Sequence, residues 1–428
     1  MFHKKIMSVA IALLFVPSIH SAYAASDAEL QTLRDEVRLL AERINQTDAK
    51  TAAPAASANA FNPAVSLILG GTYARLAQPA RPATGFAMNA NPAHAQGFNL
   101  GESELGIAAD IDPEYRGVAT MALAPAGGIT VENAFIQSSA LGNGLNVKFG
   151  RFFSGLGYLN EQHAHAWDFV DQPLVYASLW NNQIGEDGVQ LKWLAPTETF
   201  VELGAEVGRG RSFPATDSNR NGAGATALFA HVADDIGVAH SWRAGASLYQ
   251  TQRQNAQSVN VPDLLATVGG VTNSFSGDSQ TAGLDFVWKY APNGNLAERY
   301  FKLQGELFQR KENGVLTYNL LTPSSYRNTQ NGWYMQSVAQ FMPHWRTGLR
   351  YDRMNAGTAN VGVANLTNVI SNYAYTPTRS SWMLDYSPSE FSRLRLQIAR
   401  DLTRQGQADN QIFVQYLMSL GAHGAHQY

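Results

Sequence analysis

The residues that could do chemistry are two histidine pairs. His163-x-His165 sets two imidazoles on one side of an extended segment, with Glu161 and Asp168 close in sequence. Such a donor set suits Zn²⁺ or Cu²⁺. His423-x-x-His426, in AHGAHQY, offers a second pair. Both pairs read equally as polar lining or rim residues, because a chain with 10 histidines produces pairs by chance. They stand as metal candidates, and no metal site is expected. Ser154, His163 and Asp168 share one stretch, as a hydrolase triad would require. No G-x-S-x-G nucleophile elbow accompanies them. The sequence has no Cys, which removes disulfides, Cys metal sites and Cys nucleophiles. No catalytic residue, no cofactor and no enzyme activity are expected. The basic residues are dispersed, so nucleic acid is not expected as a partner.

The elements that must carry these residues are strands. In NQIFVQYLMSLGAHGAHQY, Ile412, Val414, Tyr416, Met418 and Leu420 share one face, and Gln411, Gln415 and Ser419 the other. That is period two. A last strand that leads to a terminal aromatic, here Tyr428, is a feature of bacterial outer-membrane barrels; an edge strand of a soluble sheet would look the same. The chain is 428 residues long and 45% hydrophobic, yet its mean hydropathy is negative. Apolar residues are spread as alternation instead of being gathered into runs. No stretch after the first 24 residues is long and apolar enough for a membrane helix.

Residues 1–24 read as a secretory signal: Lys4 and Lys5, an apolar run from Met7 to Val16, and the A-x-A site Ala22-Tyr23-Ala24. Residues 25–46 read as a helix with a short heptad seam, Leu30, Val37 and Ile44 alternating with Leu33 and Leu40. The seam predicts packing against copies of itself; a lone amphipathic helix on a barrel mouth would carry it too. Residues 47–61 form an Ala/Ser/Thr-rich linker. From 62 to 428 the sequence predicts an all-β unit of about sixteen antiparallel strands. They fall near 64–75, 97–109, 113–124, 128–138, 143–150, 186–196, 198–208, 225–235, 237–250, 280–291, 298–311, 329–341, 344–354, 379–388, 391–403 and 409–421. Leu284, Phe286, Trp288 and Tyr290 oppose Asp285 and Lys289; Val189, Leu191 and Trp193 oppose Gln190 and Lys192.

Alternation alone does not separate a soluble sandwich from a transmembrane barrel. The connections do. Turns after even-numbered strands are short, and most gaps after odd-numbered strands are long, including Gln252–Ser279 and Glu312–Asn328. Short turns on one rim and long loops on the other mark an outer-membrane barrel, with both chain ends on the short-turn, periplasmic side. The longest gap is Arg151–Gly185, after the fifth strand. It holds Phe152, Phe153, Trp167, Phe169, Tyr176 and Trp180, too apolar for a solvated loop. It is expected to fold into the lumen and narrow it, with Arg151, Glu161, His163, His165, Asp168 and Asp171 at the constriction. Capping the barrel, or packing at a subunit interface, would also bury it.

The segments GFNLGESELGIAADIDPEYRGVATMAL, GLNVKFGRFFSGLGYLNEQ and EDGVQLKWLAP resemble the phosphate-selective porin O and P superfamily. The resemblance rests on layout and on short motifs, Gly150-Arg151-Phe152 before the third loop and Gly188-Val189-Gln190-Leu191 after it. It implies a homotrimeric diffusion channel of the outer membrane. The phosphate-specific members line the pore with arginines and lysines. Here the lumen-facing bases Lys148, Lys192, Arg243, Lys289, Lys302, Arg346, Arg350, Arg393 and Arg395 are interleaved with acids, among them Glu102, Glu104, Glu202, Glu206, Asp285 and Glu306. That balance argues against phosphate selectivity. The expectation is a porin for passive diffusion of small polar or charged solutes, its partners being outer-membrane lipid, its own copies and the solutes in transit. The loop acids Glu161, Asp168 and Asp171 are expected to face Arg393 and Arg395 across the opening. A plugless porin for metal chelates or siderophores, and a structural or adhesive barrel held through its coiled coil, are the alternatives.

Overall fold

The computed structural model describes residues 63–78, 83–86, 95–123, 127–138, 141–217, 223–261, 271–318, 320–362 and 375–421. The signal segment, the heptad helix, the linker, and His423 and His426 lie outside the described residues. Sixteen antiparallel strands close into one barrel. They are β1 (Ala64–Arg75), β2 (Gly97–Leu100 continued by Glu104–Asp110), β3 (Tyr115–Leu123), β4 (Ile129–Ser138), β5 (Leu145–Phe153), β6 (Gly185–Leu194), β7 (Phe200–Gly208) and β8 (Ala225–Ile236). The remainder are β9 (His240–Val261), β10 (Val271–Tyr290), β11 (Tyr300–Tyr318), β12 (Thr322–Met342), β13 (Trp345–Asn355), β14 (Thr378–Ser389), β15 (Ser392–Arg404) and β16 (Gln407–Gly421). A two-residue segment, Asn360–Val361, adds to the upper end of β12. Closure is made by β1 against β16, from Ser66 opposite Gly421 to Arg75 opposite Ile412. The start of β1 and the end of β16 therefore meet on the rim of short turns. No helix among the described residues is long and apolar enough to cross a membrane.

Burial runs opposite to that of a soluble sheet. Leu284 is 58% exposed and Phe286 44%, while Asp285 between them is 5% exposed. Leu394 and Ile398 are exposed, and Arg395 and Gln397 are buried. On β16, Ile412, Val414, Tyr416 and Leu420 point out, and Gln411 and Gln415 point in. An apolar exterior round a polar interior is what lipid outside and water inside demand, since the closed ladder satisfies every backbone group between strands.

All sixteen expected strands are present, and four are much longer than expected. β9 to β12 run 22, 20, 19 and 21 residues, about twice the 9–11 that cross a bilayer. The gaps read as the loops Gln252–Ser279 and Glu312–Asn328 are largely strand. Polar residues interrupt the outward apolar row there, as at Lys311 and Asn313, both exposed. The hydrogen-bond ladder continues where the hydrophobic alternation stops.

Two local irregularities aim side chains inward. β2 breaks at Gly101–Ser103, where the Gly101 N–H donates to the Gly70 carbonyl at 2.9 Å and the Gly70 N–H to Ser103 Oγ at 3.1 Å. A Cβ on Gly70 would lie 2.6 Å from the carbonyl oxygen of Glu102, so the approach requires glycine. On β4 a bulge leaves Glu132 unpaired between Val131, opposite Met121, and Asn133, opposite Thr120.

Candidate functional site

The segment between β5 and β6 is held to lumen-facing side chains of strands all round the barrel. It forms a 3₁₀ turn at Ala164–Ala166 and one short helix, α1 (Leu174–Trp180). Its apolar residues, Leu156, Leu159, Trp167, Leu174, Val175, Tyr176, Leu179 and Trp180, pack with Tyr249, Phe308, Tyr334 and Met354 from the wall. Tyr176, Trp180 and Phe308 meet edge to face, with ring centroids 4.3–5.5 Å apart. The oily loop thus finds its apolar surface on the inside of β9 and β11 to β13.

Polar anchors surround that packing. On β7, Glu206 accepts from Ser154 Oγ at 2.5 Å and from the Gly155 N–H at 2.8 Å. On β11, Glu306 accepts from the Tyr158 and Leu159 N–H groups and from the Tyr176 hydroxyl, and also from Tyr334 of β12. Asp352 of β13 accepts from the Leu174 N–H at 2.8 Å. Arg310 of β11 donates to the Leu179 carbonyl at 2.8 Å and Arg379 of β14 to that of Gln172 at 2.5 Å. Buried backbone groups of a loop need such partners.

The loop's own acids are paired directly with wall bases. Glu161 meets Lys192 at 3.2 Å. Asp168 accepts from Lys302 and, at 3.4 Å, from Arg346. Asp171 meets Arg350 at 2.8 Å and Arg379 at 2.6 Å. Burial alone would raise the pKa of Asp168 and Asp171, but the neighbouring Lys302 and Arg346, and Arg379 and Arg350, hold both below the usual carboxylate range. For Glu161 burial also acts upward, and Lys192 and Lys148 bring it down to about 2.

This corrects the expected pairing. Arg393 donates to the His165 carbonyl at 2.8 Å, and Arg395 grips Asp385 with two bonds of 2.7 and 2.9 Å. Neither has a loop acid as its ion-pair partner within 4.0 Å. Which base meets which acid depends on how far the loop reaches across the barrel, and alternation along a strand carries no such information. Arg151 is also corrected. β5 continues through Phe153, so Arg151 falls on the face of Phe149, away from Lys148, and pairs outward with Asp187 of β6 at 2.6 Å.

The remaining bases and acids are spread over the wall. Lys289 and Lys302 are cross-strand neighbours on β10 and β11. Arg346 reaches Asp385 at 2.5 Å, and Arg243 lies 3.8 Å from Asp285. Lys148 sits over the rings of Phe135 and Phe152, and Glu202 pairs with His231 and Lys192. A cavity of about 890 Å³ lies beside the loop, lined by Lys148, Lys192, Arg243, Glu161, Glu202 and His163 and reaching Asp234 and Asp235 at the short-turn rim.

His163 and His165 are brought together, with ring centroids 5.7 Å apart. Their partners are not Glu161 and Asp168 but wall acids. His163 Nδ1 faces Glu104 at 3.0 Å and Glu132 at 2.9 Å; His165 Nδ1 faces Glu104 at 3.0 Å. Burial alone would lower the His163 pKa, and the hydrogen bonds and charges of Glu104 and Glu132 push it up to about 10. The sequence reading passed over Glu132, Arg310 and Arg379. Arg310 was within reach, being four residues from Glu306 and so on its face; Arg379 likewise shares the parity of Asp385. Glu132 owes its direction to the bulge, which left no signal in the alternation.

No family model matches the chain. An uncharacterized protein of Aquifex aeolicus (strain VF5) is 31% identical over 356 residues, covering 78% of this chain and 70% of that one. Among solved structures, OmpT of Vibrio cholerae, an outer membrane protein, superposes with a TM-score of 0.52 at 11% identity, over 86% of this chain and 100% of that one. The outer membrane channel DcaP of Acinetobacter baumannii gives 0.51 at 11%, over 84% and 97%, and Pseudomonas putida OprB gives 0.51 at 12%, over 84% and 94%. At such identities the likeness is one of fold.

Proposed function

We propose that this chain, which belongs to the same family as the uncharacterized Aquifex aeolicus protein, is an outer-membrane porin for passive diffusion of small polar or charged solutes. The loop between β5 and β6 is its constriction. One observation carries the reading: an apolar loop is fastened inside a sixteen-stranded barrel by ion pairs to several wall strands, among them Lys302, Arg346, Arg350 and Arg379. Such fastening fixes a narrowing and leaves the water-filled remainder polar. The cavity bounded by Lys148, Lys192, Arg243, Glu161 and Glu202 carries both signs of charge, which orients polar solutes without a strong preference for one sign. The other interior bases and acids, Lys289, Lys302, Arg346, Arg350, Arg393, Arg395, Glu206, Asp285 and Glu306, extend that mixed lining. No energy coupling enters.

Membership of the phosphate-selective porin O and P superfamily, homotrimeric assembly and periplasmic chain ends form part of this proposal. The two ends of the barrel sheet meet on the short-turn rim, which supports the last of these. The test is planar-bilayer recording of the full chain beside a variant with the loop shortened between Gly157 and Gln183. The expected outcome is an open channel whose conductance rises in the variant. A closed wild-type barrel, or unchanged conductance, would turn the reading to a structural or adhesive barrel.

A further inference from the structure

Glu102, Glu104 and Glu132 approach one another on the inner wall although they lie on two separate strands. Each is there for a backbone reason: the break in β2 sets Glu102 and Glu104 beside it, and the β4 bulge turns Glu132 inward. The loop then brings His163 onto them. One oxygen of each carboxylate and a ring nitrogen of His163 all lie within 4.8 Å of one another. Glu102 Oε1 accepts from the Ala164 N–H at 3.0 Å, while its Oε2 is buried without a hydrogen-bond partner. Glu104 also reaches His165, whose carbonyl takes the Arg393 donor.

Three carboxylates this close need positive charge among them. Protons on the two imidazoles can supply it, and so can one divalent ion. Three oxygens and one imidazole nitrogen make a four-ligand set suited to first-row divalent cations, Zn²⁺ among them. We propose that Glu102, Glu104, Glu132 and His163 bind a divalent transition-metal cation of this kind, which fastens the loop to β2 and β4. His163 binds through Nδ1, leaving its proton on Nε2. Asn133, whose amide nitrogen lies 2.8 Å from Nε2 and whose oxygen accepts from the Phe153 N–H at 3.3 Å, must turn over and give up the Phe153 bond to present its oxygen to that N–H, the outer partner that a metal-bound imidazole requires. The site goes beyond the channel reading and does not depend on it, because uptake is measured whether or not the barrel conducts.

The test uses the full chain in detergent, stripped with EDTA and titrated with Zn²⁺ by calorimetry. The expected result is saturable uptake of about one ion per chain, with the number set by a single four-ligand site. Uptake weakens at least about tenfold in Glu132→Gln and in His163→Gln, since loss of even an outer partner of a ligand costs that much. The exposed Glu298→Gln should bind as the wild type does. X-ray absorption of the zinc-loaded wild type keeps the test independent of how the variants fold, with an oxygen-rich first shell and one imidazole expected. Absence of saturable uptake, uptake unchanged in both ligand variants, equal loss in Glu298→Gln, or a first shell without imidazole would each overturn the site and leave an ion-paired cluster.

Discussion

Arg350 grips Asp171 twice, through the carboxylate at 2.8 Å and through the backbone carbonyl at 2.7 Å, and so joins β13 to the middle of the inward loop. The same guanidinium bonds Asp352 at 3.0 Å and lies 4.6 Å from the Phe169 ring centroid. Arg379 closes on the other oxygen of Asp171. Asp171→Asn should therefore leave two buried guanidiniums short of their counter-charge. The expected cost to loop docking is about 3 kcal/mol, the scale for removing one partner of a buried pair. Limited proteolysis between residues 155 and 183 is the measurement, with cleavage faster in the variant and the barrel otherwise intact. Equal cleavage would show that the Asp171 pairs are not what holds the loop.

The pH dependence follows from the same carboxylates. Asp168 and Asp171 have folded-state pKa values below the ordinary aspartate value. Their contribution to docking is fully present above the unfolded value of about 4 and is lost as pH falls through the lower folded value. The contribution of these two aspartates should be constant from pH 7 to 5 and weaken below about 4. Trp167 and Trp180 are both buried within the loop, so their fluorescence reports the change. A transition centred above pH 5 would assign the loss to other groups.

The two arginines that alternation put on one face of β15 should behave differently. Arg395 is 1% exposed and tied to Asp385 by two bonds along one edge of the guanidinium, from Nε and Nη2. Arg393 has only the His165 carbonyl as its hydrogen-bond acceptor among the described residues. Arg393→Ala should shift ion selectivity toward cations with little loss of stability, because it removes a base that no acid neutralises directly. Arg395→Ala should mainly lower the melting temperature, because Asp385 keeps Arg346 and loses its bidentate partner. Reversal potentials and thermal unfolding of the two variants separate these outcomes. A selectivity shift in Arg395→Ala as large as in Arg393→Ala would contradict the assignment.

Sequence periodicity carried the barrel because lipid outside and water inside impose period two on every crossing strand. Asp285 between Leu284 and Phe286 has its inward direction written in its neighbours. What periodicity does not carry is reach across the barrel. Asp168 meets Lys302 and Arg346, which are more than 130 residues away, and nothing local chooses them over Arg393. The upper halves of β9 to β12 escaped because polar residues such as Lys311 and Asn313 stand on their outer face, so the hydrophobic alternation fades there. Glu132 escaped because a bulge breaks the parity rule at the one residue that matters. His163 and His165 were legible as a pair, and their true partners were not.

The last prediction concerns assembly. β1 begins at Ala64, so deletion of residues 25–60 removes none of the sixteen described strands and no residue of the closing pair β1–β16. The shortened chain should still give a heat-modifiable barrel band, running faster before boiling than after. The heptad seam of Leu30, Leu33, Val37, Leu40 and Ile44 is short, and a helix of two heptads is marginal alone. If this seam joins subunits, its packing depends on copies held near one another by the barrels. The deletion should therefore raise the concentration below which oligomers dissociate, without changing the barrel itself. Native mass measurement of both chains over a dilution series is the check. If the oligomer is identical with and without the helix, the barrel walls do the joining. The outward pair Arg151–Asp187, two charges beside exposed Phe149 and Val189, would then be the next residues to replace, since an arginine facing lipid costs about 2–4 kcal/mol at mid-membrane and subunit contact would remove that cost.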